Sequence, residues 1–222
     1  MINNEWTTQD FAPVIAVDWQ TEPYLRMDFG PSNAELNRVN LNDSAAFADY
    51  VFKKLKEVGA RFGVGGYNEH RVIYERSAHF QQTDQPRCIH LGVDIWTAAT
   101  TPVHAPAAGV VHSFRNNSAY GDYGPTIVLQ HRHFYTLYGH LTVDSLDGLY
   151  EGMAVAKGQE IARIGDYPTN GDWPAHLHFQ IITDMMGQKG DFPGVCSLQD
   201  RAKYLELCPD PNLVLGIERT LS

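Results

Sequence analysis

Between about residue 70 and residue 185 the chain has no apolar pattern of helix length. It reads instead as short runs rich in β-branched and aromatic residues, separated by Gly and Pro. Val110-Val111-His112-Ser113-Phe114 follows the turn-like Pro106-Ala107-Ala108-Gly109. Thr126 to Gln130, Phe134 to Tyr138 and His176 to Thr183 have the same character, and Gly152, Gly158 and Gly165 space out a further pair of short strands. Parallel strands need long, usually helical crossovers, and none fits here, so this region is expected to form an antiparallel sheet.

The flanks read differently. Ala46 to Val58 carries Phe47, Tyr50, Val51, Leu55 and Val58 at three- and four-residue spacing, one apolar stripe of a helix. Asn42, Asp43 and Ser44 are N-cap candidates and Gly59 a C′ residue. Gly63-Val64-Gly65-Gly66 breaks the pattern and marks a boundary. A second helix is expected at Leu198 to Leu207, ending at Pro209 and Pro211. The expected organisation is an accessory segment over 1–66 with one amphipathic helix, a β domain over 67–195, and a tail with a short helix over 196–222.

With 222 residues, 43% hydrophobic and 19% charged, the composition is that of an ordinary globular protein. A formal net charge of −9 without a Lys/Arg cluster argues against nucleic acid or an anionic membrane surface as partner. No apolar run long enough to span a membrane occurs. Met1-Ile2-Asn3-Asn4-Glu5-Trp6 has neither the basic start nor the apolar core of a secretory signal, so a cytoplasmic protein is expected. Cys88, Cys196 and Cys208 are then reduced thiols, although Cys196 and Cys208 could pair if the protein were exported.

The ten histidines matter through their arrangement. His90-Leu91-Gly92-Val93-Asp94 sets a His four residues before an Asp, about 13 Å apart on an ideal strand and too far to share an ion. A bend at Gly92 would let them converge, although alone the spacing favours a structural pair over a metal site. His176-Leu177-His178 places two imidazoles on one strand face about 6.7 Å apart, either as a wetted polar face or as a functional pair. His140 closes the apolar run Tyr135-Thr136-Leu137-Tyr138-Gly139 beside a glycine, where a lone His is more often a hydrogen-bonding residue than a catalyst. His131-Arg132-His133 repeats the His-x-His spacing, but the intervening cation suits a solvated strand end. His70, His79, His104 and His112 read as surface or structural residues.

Taken in order, His-x-x-x-Asp, Tyr-Gly-His-Leu and His-x-His resemble the motifs of the lysostaphin-type (LytM-type) zinc endopeptidases. The segment Thr101 to Val111 looks like that family's turn and strand, and Gly152 to Gly165 like its paired-glycine hairpin. The resemblance runs over about residues 86 to 185. It implies a mainly β fold: a twisted antiparallel β-sheet groove (the duplicated hybrid motif), here with an N-terminal helical segment and a short C-terminal helix. It also implies one zinc ion held by His90, Asp94 and His178, with His140 and His176 as the catalytic pair, one acting as base and the other stabilising the oxyanion or protonating the leaving amine. Zinc rather than manganese or cobalt follows from that ligand set and the family.

The implied activity is hydrolysis of a peptide bond by metal-activated water, in peptidoglycan-type or glycine-containing peptides. No His-Glu-x-x-His helix, Gly-x-Ser-x-Gly elbow or activated cysteine offers a different hydrolytic chemistry. The segments Asp166 to Pro174 and Gly190 to Cys196 resemble a branch also found fused to aminotransferase and phosphotransferase domains, which implies a small or modified substrate. The alternative is a latent or non-catalytic zinc module. In that reading Asn68 or His70, in the segment Tyr67-Asn68-Glu69-His70-Arg71, reaches the open metal position; otherwise that segment is a polar loop.

Overall fold

The computed structural model describes residues 10–81 and 85–217; the N-terminal hexapeptide read for a signal lies outside them. Twelve strands run in chain order: β1 (Tyr24–Met27), β2 (Phe62–Gly65), β3 (Arg87–His90), β4 (Val93–Trp96), β5 (Pro102–His104), β6 (Gly109–Asn117), β7 (Gly124–Gln130), β8 (Tyr135–Gly139), β9 (Ala154–Val155), β10 (Glu160–Arg163), β11 (His176–Ile182) and β12 (Val195–Ser197). Three helices accompany them, α1 (Ser44–Glu57), α2 (Arg201–Leu207) and α3 (Asn212–Leu215).

The main sheet has eight strands in the order β1-β2-β4-β11-β8-β7-β6-β9, with two small sheets, β10-β5 and β12-β3, beside it. The fold is mainly β, and every pair is antiparallel except β1 with β2. Among the described residues no helix is long and apolar enough to cross a membrane.

That parallel pair differs from the reading of the N-terminal segment as an accessory helix. β1, α1 and β2 form a β-α-β unit, and β2 pairs with β4, so the sheet continues across residue 66. Gly63 and Gly65 therefore lie inside a buried strand rather than a break. The reason is close approach: a Cβ on Gly63 would sit 3.0 Å from Met27 Cγ, 3.2 Å from Leu55 Cδ2 and 3.3 Å from Trp96 Cβ. Glycine here lets α1 settle onto the sheet.

Helix α1 starts where Asp43 accepts hydrogen bonds from the Ala45 and Ala46 amides at 3.0 and 3.2 Å. It ends in a Schellman turn, with Gly59 at φ +67° and Ala60 N–H bonded to Leu55 O at 2.9 Å. Phe47, Val51 and Leu55 are buried as the stripe requires; Val58 is 57% exposed because it is the C-cap, past the last helical turn. Phe47 meets Phe29, Trp96 and Trp173 at ring separations of 5.9, 5.9 and 6.3 Å. The helix thus backs the tryptophan that lies against His176.

Helix α2 begins three residues later than expected, because Ser197 and Asp200 close a turn through Ser197 Oγ to Asp200 Oδ2 at 2.9 Å. Beyond Pro211 the short helix α3 resumes where the sequence suggested a stop. All three cysteines are free thiols, with Cys196 and Cys208 buried.

Removing the Asp43 cap leaves two amides without their acceptor. Asp43→Ala is expected to lower stability by about 1 kcal/mol, read as a lower urea midpoint with an unchanged slope.

Candidate metal centre

A single row of paired residues crosses four strands of the main sheet: Gly65 on β2, Asp94 on β4, His178 on β11 and Gly139 on β8. The carboxylate and imidazole positions are neighbours because of this register, and the glycines at either end make way for Arg71 over Gly65 and Tyr123 over Gly139. Two residues along, on the same face, Trp96 on β4 faces His176 on β11, and their rings stack at 3.9 Å.

His90 arrives from outside the main sheet. Its strand β3 pairs with β12, and the chain bends at Leu91-Gly92 before entering β4. A Cβ on Gly92 would lie 2.6 Å from His178 Cε1 and 2.8 Å from Phe179 O, so only glycine permits the bend this close to the neighbouring strand. His90 Nε2, Asp94 Oδ1 and His178 Nδ1 then form a nearly equilateral triangle with edges of 3.0, 3.1 and 3.2 Å. All three residues are buried.

Proton placement decides what this triangle can do. His90 Nδ1 lies 2.9 Å from Gly66 O, which only accepts, so Nδ1 carries the hydrogen and Nε2 a lone pair. Gln180 Nε2 donates to Pro193 O at 3.1 Å and Cys208 Sγ at 3.2 Å, which turns its Oε1 toward His178 Nε2 at 2.9 Å. His178 therefore carries its hydrogen on Nε2 and a lone pair on Nδ1. Three electron pairs face one another with no proton between them. A cation satisfies them, and tetrahedral zinc with nitrogen and oxygen ligands requires donors about 3.3 Å apart. The donor set therefore fits the metal.

The other oxygen of Asp94, Oδ2, accepts from Arg71 Nη1 in a fully buried ion pair. Burial on its own would raise the Asp94 carboxyl, but His90, Arg71 and His176 outweigh it and hold it well below the usual carboxylate range. Burial, followed by the Arg71 charge, pushes His90 down to about 4.

His140 and His176 stand beside the triangle with ring centroids 4.2 Å apart. His140 Nδ1–H is held by Asn170 O at 2.8 Å and His176 Nδ1–H by Pro174 O at 2.7 Å, so both rings carry their lone pair on Nε2. His176 Nε2 lies 3.9 Å from Asp94 Oδ1. Burial lowers both: His176 to about 4, and His140, with His176 adding to the effect, well below the usual histidine value. His140 has a left-handed backbone, φ +63°, at the end of β8. A cavity of about 140 Å³ reaches these rings between the aromatic walls of Tyr74, Phe80, Trp173 and Phe192.

All five residues singled out in the sequence therefore lie in one place. Asn68 and His70 do not. Asn68 Oδ1 accepts from Arg201 Nε at 2.8 Å, and His70 is an exposed bridge residue opposite Ile89; the next residue, Arg71, enters instead. His131 is no solvated strand end: it is buried between Ala108 O at 3.0 Å and Thr136 Oγ1 at 2.8 Å. His79 lines the cavity wall. Sequence reasoning missed Arg71, Gln180, Trp96 and Tyr123, whose hydroxyl lies 3.4 Å from His178 Nε2. Gln180 carried a signal, since it continues the two-residue period of His176 and His178 on one strand face. Arg71 carried none.

The buried neutral imidazoles link the centre to stability. In the unfolded chain His90 and His176 take up protons below their ordinary value of 6.5, whereas in the folded protein they resist until about 4. Their contribution is complete above about pH 6.5 and declines as the pH falls toward about 4. Urea unfolding of the chelator-treated protein should show this loss across that window.

Residues 88–190 match the family model described as Peptidase family M23. Among solved structures, a zinc containing peptidase from Vibrio cholerae is 28% identical, over 42% of this chain and 27% of that one, with a TM-score of 0.33. The catalytic domain of EnpA, a prophage-encoded M23 protein from Enterococcus faecalis, is 20% identical over 48% of this chain and 79% of that one (TM-score 0.38). The catalytic domain of the antimicrobial peptidase lysostaphin from Staphylococcus simulans is 25% identical over 52% and 80% (TM-score 0.36). The chain thus spans about a quarter of the Vibrio protein's length. No curated protein gives a match. The segment that carries His90, Asp94, His140, His176 and His178 is thus the part of the chain that is similar to Peptidase family M23.

Proposed function

We propose that the chain is a zinc-dependent metallopeptidase that hydrolyses a peptide bond in a short peptide or peptidoglycan-type fragment. The observation that carries this reading is the convergence of three lone pairs, from His90, Asp94 and His178, on one point. These residues would be the ligands. Two imidazoles and one carboxylate leave a position for water, the arrangement of catalytic rather than structural zinc. When bound, zinc supplies Lewis acidity for the scissile carbonyl and acidifies water to a pKa of about 7.

The chain's own residues do the rest. The Gly66 carbonyl and the Gln180 amide fix the tautomers of the ligating rings and their orientation. His140 and His176, each with Nδ1–H held by a carbonyl, begin as proton acceptors at Nε2. One takes the proton from water, and the protonated form then serves the oxyanion or the leaving amine. The aromatic walls exclude bulk water, which strengthens each of these interactions.

A second reading, a latent or non-catalytic metal module, is favoured by one observation. The five site residues are at most 5% exposed, His140 being the most open. Deleting residues 1–72 to uncover the site would not test it, because β1, β2 and Arg71 would be lost with them.

Metal analysis together with a screen of glycine-containing peptides and muropeptides distinguishes the readings. Wild type is expected to hold one zinc per chain and to cleave; a full complement of zinc with no cleavage of any peptide supports the latent module. His178→Ala should lose the metal, and full metal content in it would sink the ligand assignment. His140→Ala and His176→Ala should keep the metal while kcat falls by about 10²–10⁴-fold.

A further inference from the structure

Arg71 lies outside the matched segment, yet its side chain is fully buried against Asp94. Its fork makes four contacts at once. Nη1 donates to Asp94 Oδ2 and, at 3.3 Å, to Tyr74 OH; Nε donates to Glu69 Oε2 at 2.6 Å; and Nη2 donates to Gly66 O at 3.3 Å. That last carbonyl is the one that holds His90 Nδ1–H. One guanidinium therefore braces the carboxylate directly and one imidazole through a shared carbonyl.

We propose that Glu69 and Arg71 form a charge-neutral clamp that positions the metal ligands, keeping Asp94 bound through Oδ1 alone. The proposal rests on the metal-centre reading above and adds residues to it. With Oδ2 committed to Arg71, Asp94 presents a single oxygen to the two rings, so the centre keeps a low coordination number and an open position. A bare arginine in this place would repel a dication. Glu69 cancels that charge, which leaves the Asp94 charge available to the metal.

The backbone is cut to fit the clamp. A Cβ on Gly65 would lie 2.5 Å from Arg71 Nη2, and the guanidinium has no free direction in which to yield because its partners surround it. Glu69 is tied down in turn, its Oε1 accepting the Phe29 amide at 3.1 Å.

Zinc affinity measured by chelator competition, and the visible spectrum of the cobalt-substituted protein, test the clamp without reference to turnover. Arg71→Lys keeps the charge but cannot reach Asp94, Glu69 and Gly66 together. Glu69→Gln keeps the shape but leaves the arginine charge uncompensated. Each is expected to weaken zinc binding by about 10–100-fold. In Arg71→Lys the cobalt bands should also lose intensity as Asp94 swings to two-oxygen ligation. Folded variants, checked by circular dichroism, with wild-type affinity and spectrum would overturn the proposal. Should Arg71→Lys fail to fold, the double variant Arg71→Met with Glu69→Gln removes both charges of the clamp together. Weakened binding and altered bands in it support the clamp, and wild-type behaviour overturns it. If wild type itself takes up neither zinc nor cobalt, the metal-centre reading fails first. If wild type binds and the variants match it, only the clamp fails.

Discussion

Three lone pairs held within about 3 Å of one another, with every nearby proton already committed elsewhere, are the constraint on which this molecule is built. The commitment is made by groups with no alternative. Gly66 O can only accept, and Gln180 Oε1 is turned inward because its amide nitrogen is claimed by Pro193 O and Cys208 Sγ. The rings cannot rotate their protons into the gap without breaking these bonds in a buried setting, where an unmade hydrogen bond costs about 1–3 kcal/mol. A cation placed among the three groups would relieve the repulsion of their lone pairs, as the proposed function requires. The sheet register supplies two of the three positions, and the bend at Gly92 supplies the third.

The surroundings suit the proton transfer that the proposed function requires. His176 lies flat on Trp96, and His140 packs beside His176, with Trp173 edge-on to both. Behind Trp96 stand Phe29 and Phe47 of the β-α-β unit. This apolar backing holds both imidazoles neutral and fixes their planes, while the carbonyls of Asn170 and Pro174 set their tautomers. A base must be neutral to accept a proton, so the burial that destabilises the charged form favours the starting state for proton transfer.

How much of this was legible in the sequence follows from how local each signal is. The strands between residues 109 and 182 were, because two-residue alternation and Gly/Pro punctuation act over a few residues. The cap of α1 was legible for the same reason, as was the face shared by His176 and His178. The convergence of His90 on that face was readable only as a condition on Gly92, since β3 and β4 belong to different sheets and sequence spacing carries no information about such a corner. β2 was not legible. Its glycines look like a break, whereas they mark the close approach of Leu55, Trp96 and Arg71, which the fold and no local pattern brings against the strand. Arg71 is an isolated basic residue in a polar stretch, and only the fold reveals that it is buried beside a carboxylate 23 residues further on.

The segment that matches the peptidase family, residues 88–190, contains all three converging groups and both further histidines, yet it contains only part of the means of holding them. The carbonyl that fixes His90 comes from Gly66, the cation that fixes Asp94 from Arg71, and the strand that flanks Asp94 from Phe62–Gly65. Donors alone define where a metal can bind; the groups behind them define its coordination number and charge. In this chain part of the second set of groups is carried by the N-terminal unit, whose sequence shows no metal-binding pattern. The candidate centre therefore extends beyond the matched segment, to Gly65, Gly66, Glu69 and Arg71.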